Sequence, residues 1–236
     1  MNNNSQKLTA GDYFERILIF VGLVVMVSIV QLPLLFIAKG GFSTKANYIF
    51  GALYLIIFAI FIWIALIIYN KYVHPAKRAL TWQNVKWIVL SWISFLVIEV
   101  ILGLLNQVIY HVSSTSNNEI ISQLMTTNHL TMILMGITAV FFSPILEELV
   151  FRGFLIGAFF NKSSRILPVI VSGVLFSTMH MEDLNVISFV TYALLGMILA
   201  YLYVRTDNIK VSIGLHFLNN LFAMGMMAIS IFTIGQ

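Results

Sequence analysis

The sequence predicts an all-α membrane protein, a polytopic helical bundle of about seven transmembrane helices with the N-terminus inside. The first observation is compositional: apolar residues make up 60% of the 236 residues and charged residues only 9%. The mean hydropathy is +0.95. An average soluble domain has roughly 25% charged residues, so these few charges cannot cover a water-exposed surface. The lipid bilayer must therefore be the main solvent of the chain.

The second observation is a series of seven apolar segments separated by short polar stretches. Their approximate ranges are 17–38, 48–69, 87–109, 129–160, 166–180, 186–204 and 211–234. Most have the roughly 20 apolar residues that a hydrocarbon core about 30 Å thick requires. The polar stretches are too short to fold separately, so we expect one integral-membrane domain over residues 1–236.

Three of these segments are unusual. The first is too long for the core of a signal peptide and is followed by no small-residue cleavage site, so we expect it to be a retained span. The fourth is over-long and contains Pro144, which predicts a kink or two separate pieces. The fifth would rise only about 22 Å. It must therefore begin earlier in the chain or end inside the membrane.

The third observation is the distribution of lysine and arginine. With the N-terminus inside, ten of the 13 basic residues are cytoplasmic, two are outside and Arg152 lies within the fourth segment. The cytoplasmic set is Lys7, Arg16, Lys71, Lys77, Arg78, Lys86, Lys162, Arg165, Arg205 and Lys210, and the outer pair is Lys39 and Lys45. Cytoplasmic loops carry an excess of Lys and Arg. The distribution therefore predicts seven spans with the C-terminus outside, and it explains the net charge without a nucleic-acid partner.

Four ionisable side chains fall well inside the apolar segments: Glu99, Glu147, Glu148 and Arg152. Each costs about 2.5–3.5 kcal/mol at a helix centre on insertion scales. On a helix Glu148 and Arg152 are i,i+4 and can pair, whereas Glu147 lies about 100° around the axis. Two interpretations follow: Glu147 pairs elsewhere in a structural core, or it is a general base beside a supporting Glu148–Arg152 pair.

Three more polar residues stand in or at the end of apolar segments. His180 ends the fifth segment, where a lone histidine is either interfacial or functional. His216 and Asn220 are i,i+4 in the seventh, and they form either a helix–helix hydrogen bond or one wall of a cavity. Glu99 has no charged neighbour in its own segment, so it lines the same cavity or pairs with Arg152.

The depths of the two histidines conflict with a shared site. Measured from the inner ends of ideal straight helices, His180 lies about 21 Å deep and His216 about 9 Å deep. A shared site requires that the fifth segment tilt or begin deeper, or that the chain dip before His216. A separation of more than about 12 Å would exclude a single site.

Taken in order, these residues resemble the motifs of the CPBP family, which comprises the type II CAAX prenyl endopeptidases and the bacterial Abi, or bacteriocin-immunity-like, membrane proteins. The motifs are Glu147-Glu148-x-x-x-Arg152, Phe176-x-x-x-His180 and His216-x-x-x-Asn220. Each motif alone is weak, but the three together, in separate apolar segments, are specific. They place the site within a motif region at about 129–234.

The resemblance implies an intramembrane endopeptidase. In its site, Glu147 and His180 would activate water, and His216 and Asn220 would stabilise the oxyanion. Glu148 and Arg152 would form a supporting ion pair. Metal dependence stays open, because Glu147, His180 and His216 could bind zinc and leave one position for water. No His-Glu-x-x-His helix is present and asparagine is a poor zinc ligand. We therefore favour a metal-free water and no required cofactor, with zinc as the alternative.

Three classes of function compete. The preferred one is an endopeptidase of the bacterial cell membrane that cleaves a membrane peptide or protein, such as a bacteriocin-like or signalling peptide. The second is a non-catalytic immunity or regulatory protein that binds a peptide or a sensor kinase and keeps the motifs as a polar core. The third is a small proton-coupled transporter, which the lack of visible internal repeats disfavours.

Overall fold

The computed structural model describes residues 8–234, and within that range the chain forms helices joined by short connections, with no strand. Lys7, counted above among the cytoplasmic residues, lies outside the described range. The helices are α1 (Ala10–Ile29), α2 (Leu32–Lys39), α3 (Thr44–Val73), α4 (Trp82–Tyr110), α5 (Ser116–Thr127), α6 (His129–Phe159), α7 (Leu167–Thr178), α8 (Val186–Thr206) and α9 (Ile209–Ile234).

Six of the described helical stretches are long and apolar enough to cross a membrane: α1 together with α2, then α3, α4, α6, α8 and α9. This confirms the predicted all-α, polytopic helical bundle. The fifth apolar segment forms α7, which has only 12 residues and rises about 18 Å. An early start for this segment is wrong. The helix begins at Leu167, with Pro168 in its first turn, where proline is tolerated because the first N–H groups have no helical partner.

The fourth segment forms one helix, so its division into two pieces is wrong. Within α6, residues Thr138–Phe142 and Leu149–Phe154 are π-helical and flank the α-helical stretch Ser143–Glu148. Pro144 is the second residue after the first π-helical stretch, and its missing N–H removes one helical hydrogen bond there. The wider turns of a π-helix are rare and occur most often at functional sites.

A neighbouring helix donates a hydrogen bond to a carbonyl in each π-helical stretch. Asn220 Nδ2 on α9 donates to the oxygen of Ala139 at 2.9 Å, and Ser172 Oγ on α7 donates to the oxygen of Phe151 at 3.0 Å. An unsatisfied backbone carbonyl is costly in an apolar environment. These two contacts therefore fix the stretch between them, which carries both glutamates of the first motif.

The loops assigned to the cytoplasmic side meet at one end of the bundle. Asp207 accepts from Arg78 at 3.1 Å and from Lys162 at 3.3 Å, which joins the connections α3–α4, α6–α7 and α8–α9. Ser116 Oγ, at the start of α5, donates to Asp183 Oδ2 at 2.5 Å. This bond joins the α4–α5 region to the α7–α8 connection, both of which the charge distribution assigns to the outside. The contacts thus group the loops as the charge distribution does.

Helices α7 and α8 cross at two glycines. A Cβ atom on Gly173 would lie 2.8 Å from the oxygen of Ala193 and 2.9 Å from the nitrogen of Met197, both backbone atoms. A Cβ atom on Gly196 would lie 2.9 Å from the Cα of Gly173. Small residues allow such close backbone approach between membrane helices. This crossing fixes the α7 end at which His180 lies.

Replacing Gly173 by alanine is expected to destabilise the protein by about 1–3 kcal/mol, because backbone atoms of α8 must move to accept the methyl group. Thermal unfolding in detergent micelles measures the effect. The matched control is Gly103→Ala in α4, where an added Cβ meets no atom within 4 Å. Equal melting temperatures for the two variants would contradict the close crossing.

Candidate active site

One residue from each of the three motifs lies at the buried carboxylate of Glu147. Glu147 Oε2 on α6 lies 3.7 Å from the Nε2 of His180, in the turn after α7, and 3.9 Å from the Nε2 of His216, on α9. Both imidazoles therefore face the same oxygen, well inside the separation of about 12 Å that a single site allows. The depth estimate overstated their distance, because the side chains of His180, in the turn after α7, and of His216, on α9, both extend to Glu147.

In each imidazole the Nδ1 atom, which faces away from Glu147, is hydrogen-bonded to an acceptor oxygen. His216 Nδ1 lies 3.0 Å from Glu148 Oε1, and His180 Nδ1 lies 2.9 Å from the oxygen of Phe176. An ionised carboxylate and a carbonyl can only accept, so each Nδ1 donates, and in the neutral imidazole Nε2 then carries a lone pair. Glu147 Oε2 is buried and has no hydrogen-bond partner among the described residues. Three acceptor atoms thus converge on a place suited to a ligand that donates protons.

Glu148 and Arg152 form the pair that their spacing predicts. Arg152 Nη1 donates to Glu148 Oε1 at 2.9 Å, and both side chains are fully buried. Arg152 Nη2 donates to the oxygen of Gly196 at 2.9 Å, and the guanidinium lies 4.5 Å from the ring centre of Phe176. Glu148 Oε1 therefore accepts from both Arg152 and His216, so the ion pair sets the orientation of the imidazole.

Asn220 lies one turn beyond His216 on the same face of α9. Its Nδ2 donates to the oxygen of Ala139, so the helix–helix hydrogen bond considered for this residue is present. A carboxamide nitrogen has two hydrogens, and this bond uses one. The second is left to donate to another acceptor.

Comparison with known proteins finds a family similar to the part of the chain that contains this site. Residues 129–222 match the family described as type II CAAX prenyl endopeptidase Rce1-like. This part of the chain is therefore similar to the Rce1-like family. The Rce1-like region runs from the start of α6 into α9, and it contains all seven residues named in the three motifs.

Two curated relatives from Bacillus subtilis (strain 168) match part of the chain. "Putative membrane peptidase YdiL" is 33% identical over 93 residues, 39% of this chain and 37% of that protein. "Uncharacterized protein YyaK" is 37% identical over 83 residues, 32% of this chain and 27% of that protein. The chain thus spans well under half the length of these relatives. No solved structure matches it.

Glu99 lies outside the Rce1-like region, half-buried on α4. The proposed pair with Arg152 is wrong, because Arg152 pairs with Glu148 and its second nitrogen is used by Gly196. Within residues 8–234 no ion pair involves Glu99.

Tyr192 on α8 is a neighbour of the site that the sequence did not indicate. Its ring stacks on the His180 imidazole with centroids 4.9 Å apart and an interplanar angle of 27°. Its hydroxyl is hydrogen-bonded to Thr115 Oγ1 at 2.8 Å and to Asn117 Nδ2 at 3.2 Å. Tyr192 therefore links His180 to the connection between α4 and α5.

The Rce1-like region contains side chains of the types that bind zinc. Glu147, His180 and His216 are donors of a three-ligand zinc site, and acceptors on Nδ1 are typical partners of metal-bound imidazoles. Tetrahedral zinc places neighbouring ligand atoms about 3.3–3.4 Å apart, closer than the 3.7 and 3.9 Å observed. In the described part of the chain, no group of three or more His, Cys, Asp or Glu side chains is arranged to hold a metal ion. The three side chains fit zinc in chemical type, and they are the residues that would hold it.

Proposed function

We propose that the protein is an integral-membrane endopeptidase that hydrolyses a peptide bond in a membrane-associated peptide or protein. The observation that carries the proposal is the convergence of two imidazole Nε2 atoms on the buried, unpartnered Oε2 of Glu147. The Rce1-like match, and the name of the relative called a membrane peptidase, support it. We further propose seven membrane segments, including the short α7, with the N-terminus inside.

Glu147 and His180 are the groups proposed to activate water. A water molecule that donates one hydrogen to the carboxylate and one to the His180 Nε2 satisfies both acceptors. Glu147 takes a proton as the water oxygen forms a bond to the carbonyl carbon of the peptide. The same proton then passes to the amide nitrogen as the carbon–nitrogen bond breaks, so that the products are a carboxylic acid and an amine.

His216 and Asn220 are the groups proposed to stabilise the negative oxygen of the tetrahedral intermediate. Asn220 contributes its second amide hydrogen. His216 would contribute Nε2–H when both ring nitrogens carry a proton, with its Nδ1–H held by Glu148 Oε1. Donors fixed before the reaction are effective in a water-poor site because they need no reorganisation. Arg152 acts through Glu148 and is a positioning residue.

Zinc remains the alternative to a metal-free water. Glu147, His180 and His216 would hold the ion, which would polarise the peptide carbonyl and lower the pKa of a bound water. We expect full activity after exhaustive chelation, with no stoichiometric zinc by elemental analysis of the purified protein. Loss of activity on chelation, with recovery on adding zinc, would contradict the metal-free proposal.

A comparison of cellular peptides tests the proposed activity and identifies the substrate. Bacterial cells that produce the wild-type chain are compared with cells that produce Glu147→Gln, and the membrane-bound and secreted peptides are identified by mass spectrometry. We expect a bacteriocin-like or signalling peptide, or a fragment of a membrane protein, to appear only with the wild type. Identical peptide pools at equal protein abundance would contradict the proposal.

A non-catalytic immunity or regulatory partner is the second candidate. The observation that favours it is the complete burial of Glu148 and Arg152, which is also what a purely structural polar core requires. In that case the protein binds a peptide or a sensor kinase in the membrane. Its cellular effect would then survive the loss of Glu147.

A further inference from the structure

A groove lies between the start of α7 and the end of α8, far from the candidate active site. It has a volume of about 260 Å³. Arg165 precedes α7 at the groove, whereas His180 follows the other end of the same helix. The 12 residues of α7 rise about 18 Å between them. The groove is therefore a separate feature of the fold.

Two arginines line this groove, and no acidic residue does. Arg165 and Arg205 are both exposed, and neither has an ion-pair partner among the described residues. Their neighbours Arg78 and Lys162 differ, because both pair with Asp207. The groove thus presents two positive charges that the described part of the protein leaves uncompensated.

The Arg205 guanidinium is held in place by aromatic rings. It lies 4.4 Å from the ring centre of Trp87 on α4 and donates to the Tyr201 hydroxyl at 3.2 Å. Tryptophan and tyrosine are enriched at the level of the lipid headgroups. The aromatic residues around Arg205 are thus of the types found at the level of a lipid phosphate.

The rest of the groove is apolar. Ile166 is 75% exposed, Ile170 44% and Tyr201 46%, and the half-buried Val169 and Val204 lie between them. A free phosphate ion would use the arginines and leave this surface empty. A molecule with a negative head and a hydrocarbon tail would cover both parts.

We propose that this groove binds one anionic phospholipid. Its phosphate lies between Arg165 and Arg205, and one acyl chain follows Ile166, Ile170 and Tyr201 toward the membrane interior. The end of the bundle at which the groove opens carries most of the described basic residues, and basic sites between membrane helices on that side suit anionic headgroups. A ligand that binds only the folded state stabilises it, so the lipid braces the α7–α8 pair that positions His180.

The test uses the full-length protein in detergent micelles, with phosphatidylglycerol as the anionic lipid, phosphatidylcholine as the zwitterionic lipid and glycerol 3-phosphate as the free phosphate. Native mass spectrometry measures bound lipid, and thermal unfolding measures stabilisation. We expect one phosphatidylglycerol per chain and a higher melting temperature with that lipid alone. Equal binding of phosphatidylcholine, or an equal effect of glycerol 3-phosphate, would overturn the proposal.

Variants separate the two halves of the groove. The double variant Arg165→Gln with Arg205→Gln is expected to weaken phosphatidylglycerol binding roughly 10–30-fold. Each basic residue near an anionic membrane surface contributes about 1 kcal/mol, and about 1.4 kcal/mol corresponds to a tenfold change in affinity. Lys77→Gln with Lys86→Gln removes the same charge from exposed residues outside the groove and is expected to change little. Ile170→Trp keeps both arginines but fills the apolar part, so it should also weaken binding. Unchanged binding in both groove variants, or an equal loss in the lysine control, would overturn the assignment.

Discussion

Replacing Glu147 by glutamine is expected to lower the rate of peptide hydrolysis by about two to four orders of magnitude, the usual contribution of a general base. Glutamine keeps the size of the side chain but cannot take a proton from water. Its amide would also donate toward the Nε2 atoms of His180 and His216, which closes the place proposed for the water. The rate is measured on the purified protein with the peptide that the comparison of cells identifies.

The expected loss is specific to chemistry and not to folding. Glu147 has no hydrogen-bond partner at Oε2 among the described residues, so the neutral amide should leave the melting temperature equal or higher. The control is Glu119→Gln, an exposed carboxylate in the first turn of α5, which should keep full activity. Full activity of Glu147→Gln would contradict water activation in both its metal-free and its zinc form.

Substitution of Glu147 also distinguishes the peptidase hypothesis from the hypothesis of a non-catalytic partner protein. A strain that lacks the protein is supplied with the Glu147→Ala variant. If the variant restores immunity or regulation in that strain, the effect does not need hydrolysis. We expect no such restoration. The variant must reach the membrane at the wild-type level, which immunoblotting of the membrane fraction establishes.

The sequence predicted the fold class, and it singled out charged and histidine side chains that the structure brings together. Both inferences depend on patterns that can be recognised in the sequence itself. Few charges force the chain into lipid, and a charged residue in lipid is conspicuous. The i,i+4 spacing of Glu148 and Arg152 anticipated their pair, since the π-helical turns after Glu148 still leave the two side chains within reach. The order of the three motifs predicted the family to which residues 129–222 are similar.

Tertiary contacts decided what the sequence could not. The π-helical stretches of α6 depend on donors from other helices, Ser172 and Asn220, whose targets cannot be inferred from local sequence. The stacking of Tyr192 on His180 joins α8 to the end of α7, and tyrosine is unremarkable in an apolar segment. The short length of α7 follows from a start at Leu167 that hydropathy alone left ambiguous.

Replacing Arg152 by leucine is expected to cost about 3–5 kcal/mol of stability, the largest loss we expect from a single substitution. The reason is that Glu148 would stay fully buried with its charge uncompensated. The carbonyl of Gly196 would also lose its donor. Arg152→Lys should not rescue the protein, because one ammonium cannot reproduce two guanidinium nitrogens that reach acceptors on different helices. Thermal unfolding in micelles measures both losses.

A pair at the surface supplies the contrast that tests this explanation. Arg78 and Asp207 lie at about the same distance as the buried pair but are 51% and 38% exposed, so Arg78→Leu should cost no more than about 1 kcal/mol. The double variant Glu148→Leu with Arg152→Leu should recover much of the stability, because no unpaired charge remains. It should stay inactive, since His216 Nδ1 loses its acceptor. Equal losses for Arg152→Leu and Arg78→Leu would show that burial of Glu148 is not what makes Arg152 necessary.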